Sequence, residues 1–277
     1  MSIKPKNYLN NHDLLLEIHK SKNSFSSYTK PEYHQYDFII DNIDDIQPNI
    51  ENAKAAHAKR LAKQAFVEAK EEHKDARMAD YAVNPDSIPI TSLIFRVMTY
   101  DHIPLDSSRK KNPKTTADHH IRVNFPPFQH WKYDENGFLR CVGKSHWSGT
   151  VEDGEFSKIH GKPTNKLGLM WMKMCDRYAT RGNLRSYTYN DEMRSQALVQ
   201  LVEVGLQFNE FKSSNPFSYS TSIITNSCIR ILNAEKLNQQ IRDDILEEHR
   251  LEPSYTRQHQ NEWEASLRRN QIETNKV

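Results

Sequence analysis

Two groups of residues in this chain are of types and spacings that could do chemistry. The first is histidine-based. Asp101, His102 and His119 lie on one proline- and aromatic-rich segment. A histidine placed there could activate water beside a metal-bound phosphate, as metal-dependent nucleases require. Nearby, His119, His120, His130, His146 and His160 share a stretch with Cys141, yet no Cys-x-x-Cys or His-x-x-x-His pair occurs to set two ligands on one side of a metal. Scattered surface histidines are the plainer expectation. With eight glycines in 277 residues there is no glycine-rich loop to cradle phosphate, and no Ser/His/Asp order stands out. The second group is aromatic and basic: Phe211, Lys212, Phe217 and Tyr219, followed by Ser222, Asn226 and Arg230. Aromatic rings stack on extruded bases at about 1–3 kcal/mol each, and Asn and Arg can read base edges or hold phosphates. Nothing in the second group needs a cofactor or a metal, so binding rather than catalysis is expected.

Two amphipathic helices must position that second group. One starts near Asn190–Asp191 and carries Met193, Ala197, Leu201, Val204 and Phe208 at three-to-four spacing, with a lightly charged stripe of Gln196, Gln200, Glu203 and Gln207. The other is announced by Asn215–Pro216, a cap followed by proline in the first turn. Phe217, Thr221, Ile224, Cys228 and Ile231 form its expected core face, and Tyr219, Ser222, Asn226, Arg230 and Asn233 the opposite one. By this pattern Phe217 is core and Tyr219 the exposed, functional ring. A further helix from about Lys236 to Arg250 has a weak stripe of Leu237, Ile241, Ile245 and Leu246, and Pro253 stops it. Beyond lies a polar tail expected to order only on binding.

Upstream, Asn11–Lys20 reads as a short docking helix, residues 21–47 as a linker with one ordered piece at Asp37–Ile40, and Ile50–Ala82 as an alanine-rich helix with a narrow stripe through Ala58, Leu61, Ala62, Ala65, Phe66 and Ala69. Strand-forming runs follow at Ser92–Tyr100 and His120–Phe125. Trp131–Tyr133 and Phe138–Val142 flank Asn136–Gly137, a hairpin signature. The loop Ser107–Lys114 (SRKKNPK) is basic and could be merely solvated or could touch phosphate. Leu167–Tyr178 returns to helix, with Leu167, Met170, Trp171, Met174 and Tyr178 on one face and Arg181–Gly182–Asn183 ending it. The expected division is 1–48 N-terminal helix and linker, 49–83 charged helix, 84–165 β-rich insertion, 166–252 helical domain and 253–277 tail.

Bulk properties restrict the partners. A net charge of +2 is too weak to indicate nucleic-acid binding by itself, so any basic surface must be local. Three scattered cysteines form no disulfide framework, as expected of reduced thiols. No apolar run approaches the roughly 20 residues that span a bilayer, so no membrane is expected as a partner.

The stretches NYLNNHDLLLEI (Asn7–Ile18), LGLMWMKMCDRYATRGNLRSYTYNDEM (Leu167–Met193), GLQFNEFKSSNPFSY (Gly205–Tyr219) and ITNSCIRILNAEKLNQQIRDDILEE (Ile224–Glu248) together resemble bacterial sigma factors. More closely, they are similar to the late-transcription RNA polymerase sigma factors of T-even-type bacteriophages. The resemblance covers roughly the last half of the chain and its first segment. It implies a mainly α fold, a region-two-like helical bundle with a small β-rich insertion and a long alanine-rich helix, acting as a polymerase specificity subunit and not an enzyme. It further implies that Gln196, Gln200, Glu203 and Gln207 dock on the clamp coiled coil of the host core RNA polymerase. Phe211, Lys212, Phe217, Tyr219, Ser222, Asn226 and Arg230 would bind promoter DNA, with Tyr219 at the position of an aromatic used in strand opening. Work in the cytoplasm of an infected bacterial host, a phage co-activator and the sliding clamp follow from the same likeness. Two departures stand out. Ser222 and Ile223 occupy the place of a tryptophan pair, which implies an easily melted A·T-rich late promoter. The chain after Lys236 is too short for a second helix-turn-helix domain, and SLRRNQIETNKV shows no clear clamp-binding motif. The competing readings are an HNH-type nuclease using Asp101, His102 and His119, to whose motif those residues are faintly similar, and a stand-alone DNA-binding protein.

Overall fold

The computed structural model describes residues 9–72, 77–109, 112 and 114–274. The chain is mostly helical with a small sheet, as the pattern of apolar residues predicts. Helix α1 (Asn11–Asn23) is capped by the Asn10 side chain, which accepts from the Asp13 amide at 2.7 Å. It buries Leu14 and Ile18 at their expected spacing. Two strands follow at once, β1 (Ser26–Tyr28) and β2 (Phe38–Ile40). β2 is the ordered piece expected at Asp37–Ile40, but the linker expected around it is corrected, because β1 also pairs in the main sheet.

That sheet has the order β1-β5-β4-β3-β2, with β3 (Ile94–Val97), β4 (Gln129–Tyr133) and β5 (Leu139–Ser145). All pairings are antiparallel except β2 with β3. The β4–β5 hairpin forms as predicted, with Gly137 at φ +79°, where a side chain would be strained. The sheet is not an insertion confined to residues 84–165, since both edge strands come from before the long helix. A two-stranded ribbon, β6 (Trp147–Ser148) with β7 (Glu155–Phe156), lies beyond it. The expected strand at His120–Phe125 is absent; His120 forms only an isolated bridge with Leu105.

All four residues of β3 are buried, so both of its faces are covered. Phe95 and Val97 pack against Ala53 and Ala58 of α2 (Ile50–Glu72), whose methyl-sized stripe lets helix and sheet approach closely. Residues 73–76 lie outside the described set, and Met78–Tyr81, expected to be α-helical, form a 3-10 turn. Asp37, at the start of β2, fastens this layer. Its carboxylate accepts from the Arg60 guanidinium at 2.6 and 3.0 Å and from the Ile94 amide at 2.9 Å.

The second layer is helical: α3 (Asn165–Ala179), α4 (Asn190–Val204) and α5 (Pro216–Glu248). With α1 they enclose a core of Trp171, Met174, Met193, Leu201, Phe208 and Ile224. Thr164 caps α3 and donates from its hydroxyl to Glu17 of α1 at 2.8 Å. α3 stops at Ala179 with Thr180 as its cap, and Gly182 takes no left-handed conformation there. Asn190 is the first residue of α4 rather than its cap; its amide donates to the carbonyls of Ala179 and Leu184. Gly205 ends α4 where a Cβ would sit 2.5 Å from the Trp171 ring.

Two expectations for the C-terminal part are corrected. α5 is one continuous helix of 33 residues, not two helices meeting near Lys236. The tail is helix α6 (Tyr255–Thr274) rather than unstructured. Its base is docked by the Ser254 hydroxyl on Asp243 at 2.7 Å and by Arg257 on Asp244 at 2.9 Å. Among the described residues no helix is long and apolar enough to cross a membrane.

Sheet and helices meet at a buried charge cluster. The Lys22 ammonium has no solvent exposure and donates to the Phe208 carbonyl at 2.7 Å and to both oxygens of Glu210 at 2.8 and 2.9 Å. Burial by itself would raise the Glu210 carboxyl, but the Lys22 charge, the His19 hydrogen bond and the Arg96 charge hold it well below the usual carboxylate range. Two predictions follow from this joint. Glu210→Ala should cost about 3–5 kcal/mol in denaturant unfolding, because it strands a buried ammonium. The carboxyl's folded pKa is depressed, so its contribution is present above the unfolded value of about 4.3 and lost as pH falls below it; Tm should drop through that acid range in wild type and less steeply in Glu210→Ala. At the helical joint, Gly205→Ala should destabilise by about 1–3 kcal/mol, since the ring it meets is fully buried.

Candidate nucleic-acid interface

The joint between α4 and α5 decides which aromatic rings are available. α4 ends by leaving carbonyls without amide partners. The Tyr219 hydroxyl donates to one of them, Val204, at 3.0 Å, and its ring lies 5.6 Å from that of Phe208. Tyr219 is thus half-buried, and burial raises its hydroxyl pKa. This corrects the expectation that Tyr219 stands exposed on the polar stripe: it closes α4 instead. The reason is the path of residues 205–215, which folds back over the first turn of α5 and presents Phe208 to it.

Phe217 exchanges roles with it. Expected in the core, it is 40% exposed, and its amide is held by Asn11 Oδ1 at 3.1 Å. Asn215 accepts from Ser218 N at 2.9 Å, so the first turn of α5, Pro216 included, is firmly set as the sequence predicts. Phe217 shares a small cavity of about 70 Å³ with Tyr178, Arg177 and Arg181 from the end of α3. The Arg181 guanidinium lies over the Tyr178 ring at 4.0 Å, and the Tyr178 hydroxyl bonds Thr225 of α5 at 2.7 Å. The two arginines were missed in the sequence because they read as part of a helix end. Arg177 stands in the last turn of α3 and Arg181 just past its cap, and the turn between them brings both to the cavity beside Phe217.

The rest of the predicted stripe is where expected. Ser222, Asn226 and Arg230 are exposed on α5, and no acidic residue precedes Glu235 on that helix. Ser222 donates back to the Ser218 carbonyl at 3.0 Å, while Ile223 is buried. Phe211, 46% exposed, and Lys212 lie on the loop before α5. An exposed ring flanked by arginines and an acid-free polar face can stack an unpaired base and hold its backbone.

The glutamine stripe is only partly brought together. Gln196 and Gln200 are half-buried on α4, Glu203 is exposed and accepts from Gln200 at 3.2 Å, but Gln207 lies past the helix end in a 3-10 turn. There it lines a cavity with Tyr100 and Arg109 that none of the other three lines. The exposed apolar residues of α4 are Val199 and Val202, 48% and 54% accessible. They lie outside both stripes that the sequence pattern marks on this helix.

The histidine group has no such geometry. His102 bonds the Ser145 carbonyl at 3.0 Å and Gln129 at 3.1 Å, and burial pushes its pKa down to about 4. Among the described residues no three His, Cys, Asp or Glu side chains are grouped so that they could hold a metal. In the loop Ser107–Lys114, Lys110, Lys111 and Pro113 lie outside the described set; Arg109 turns inward to the carbonyls of Ala117 and His120. No protein-family model, curated protein or solved structure matches the chain.

If Tyr219 acts through its hydrogen bond to α4, Tyr219→Phe should lose about 0.5–1.5 kcal/mol of stability in denaturant unfolding. Binding of a single-stranded oligonucleotide by the same variant should be unchanged, as read by fluorescence anisotropy.

Proposed function

We propose that this chain is a sigma-type specificity subunit of a bacteriophage, which binds the core RNA polymerase of its bacterial host and opens a short A·T-rich promoter element. The observation that carries the reading is the exposed Phe217 ring at the start of α5, flanked by Arg177 and Arg181 and continued by the acid-free face of Ser222, Asn226 and Arg230. Those residues suit one strand of melted DNA: a ring to receive an extruded base, guanidinium groups for phosphate, and polar side chains for base edges. In this proposal Phe217, not Tyr219, is the opening ring, and Phe211 with Lys212 flanks it. The helical layer of α3, α4 and α5 is then the region-two-like bundle.

For polymerase docking we assign Gln196, Gln200 and Glu203 together with Val199 and Val202. An amphipathic helical face with two exposed valines suits a coiled-coil partner better than water does. Gln207 is left out, since it lines a separate cavity. A co-activator and the sliding clamp remain part of the proposal by resemblance to late sigma factors.

Reconstituted transcription tests this. With bacterial core polymerase, the purified chain should form a complex and support initiation at an A·T-rich promoter lacking an upstream element. Phe217→Ala should cut initiation on intact template by roughly tenfold, about the worth of one stacked base, and far less on a pre-melted one. Failure to bind core polymerase overturns the reading. Tight binding of intact duplex without polymerase would favour a stand-alone DNA-binding protein.

A further inference from the structure

α1, the segment 34–36 and α2 border a cleft of about 500 Å³ that shares no lining residue with Phe217's cavity. Arg96 of β3 lines its inner end and is itself fully buried. Its guanidinium is sandwiched between the rings of Tyr36 and Phe128, each centroid 3.9 Å away, and its Nε donates to His130 Nε2 at 2.9 Å. The two terminal nitrogens of Arg96 have no hydrogen-bond partner. The carboxylate oxygen near it, Glu210 Oε1, lies 3.9 Å away and is already taken by Lys22 at 2.8 Å. Burial pushes the pKa values of His19 and His130 down, so neither adds charge near neutral pH. The joint therefore buries two cations, Lys22 and Arg96, against the single carboxylate of Glu210. A buried charge without its counterpart is strongly unfavourable unless something supplies it.

We infer that the Arg96 cleft is a binding site for a phosphate-type oxyanion, which pairs with the free terminal nitrogens of Arg96. A planar guanidinium matches an oxyanion through two parallel N–H···O bonds, and the aromatic sandwich sets its orientation in advance. The walls favour the same class of ligand. Asn23 and Gln64 offer amide donors, Lys20 and Arg60 add positive charge, and the Tyr36 ring gives an apolar surface large enough for a group attached to the phosphate. Arg60 and Lys20 are partly committed, to Asp37 and Glu17, so Arg96 is the group that an incoming anion would satisfy first. This site is separate from the proposed strand-binding face and does not depend on it.

Thermal unfolding and calorimetry of the whole chain, with inorganic phosphate and separately with a nucleoside 5′-monophosphate, test the inference against sodium chloride of equal ionic strength. Phosphate should raise Tm in proportion to the logarithm of its concentration above Kd, by about 5–10 °C at a hundredfold excess. A larger response to the monophosphate would identify a nucleotide as the ligand, an equal one free phosphate. Arg96→Met removes the extra buried charge while keeping much of the volume, so it should match or exceed the wild-type Tm without phosphate and lose the phosphate response. Leu16→Trp, at an exposed position on the cleft wall, should block the response while leaving Arg96 in place, and covers the case in which Arg96→Met fails to fold. A response no greater than that to chloride, or one that survives either variant, overturns the inference.

Discussion

A lysine ammonium with no exposure to water stays charged only where acceptors surround it, and that requirement organises this molecule. Lys22 closes α1, Glu210 and the Phe208 carbonyl lie on the loop between α4 and α5, and Arg96 comes from the central strand of the sheet. One cluster thus ties the first helix, the sheet and the helical layer together. Because removing either charge strands the other in a low-dielectric interior, the three elements can form the joint only together. The path of residues 205–215 is a consequence: Phe208 and Glu210 must both reach Lys22, which draws the loop across the start of α5.

That path in turn selects the exposed aromatic ring. With Phe208 held inward, Tyr219 finds a ring to pack against on the loop and a carbonyl to bond at the end of α4. Phe217, two residues earlier and rotated by about 200° on a helix of 3.6 residues per turn, is turned to the surface. The candidate interface is thereby assembled from α3 and α5 rather than from the α4–α5 joint. Its rigidity comes from the Asn215 cap, the Asn11 contact and the Tyr178–Thr225 hydrogen bond. A stacking ring is most useful when held still, since less entropy is lost on receiving a base.

The helices were legible because their signals are local. Asn10 and Asn215 cap as their types suggest, Pro216 sits in a first turn, and Leu14, Met170, Leu201 and Ile224 recur at the spacing that buries one face. The β4–β5 hairpin was legible for the same reason, through Asn136–Gly137. The short strand Ser26–Tyr28 was not, and Phe38–Ile40 was legible only as an ordered piece, because three residues carry too little alternation and their pairing partners lie far along the chain. The α5 continuation past Lys236 was hidden by a weakening stripe: Leu237, Ile241 and Ile245 are half exposed, so the helix there is held by its own hydrogen bonds and by α6 rather than by a core.

What the sequence determined by itself is helices α1 to α4 and the start of α5, one hairpin, the acid-free face of α5 and the residue types able to meet nucleic acid. Each follows from interactions within a few residues, which composition and spacing encode directly. What only the tertiary structure decided is which ring faces outward, which arginines accompany it, and how Lys22 and Arg96 come to face the one carboxylate of Glu210. Those depend on contacts between segments as much as 206 residues apart, and a periodic pattern carries no record of them. A half-turn of one helix, imposed by a buried ion pair, separates a tyrosine that closes a helix from a phenylalanine free to stack.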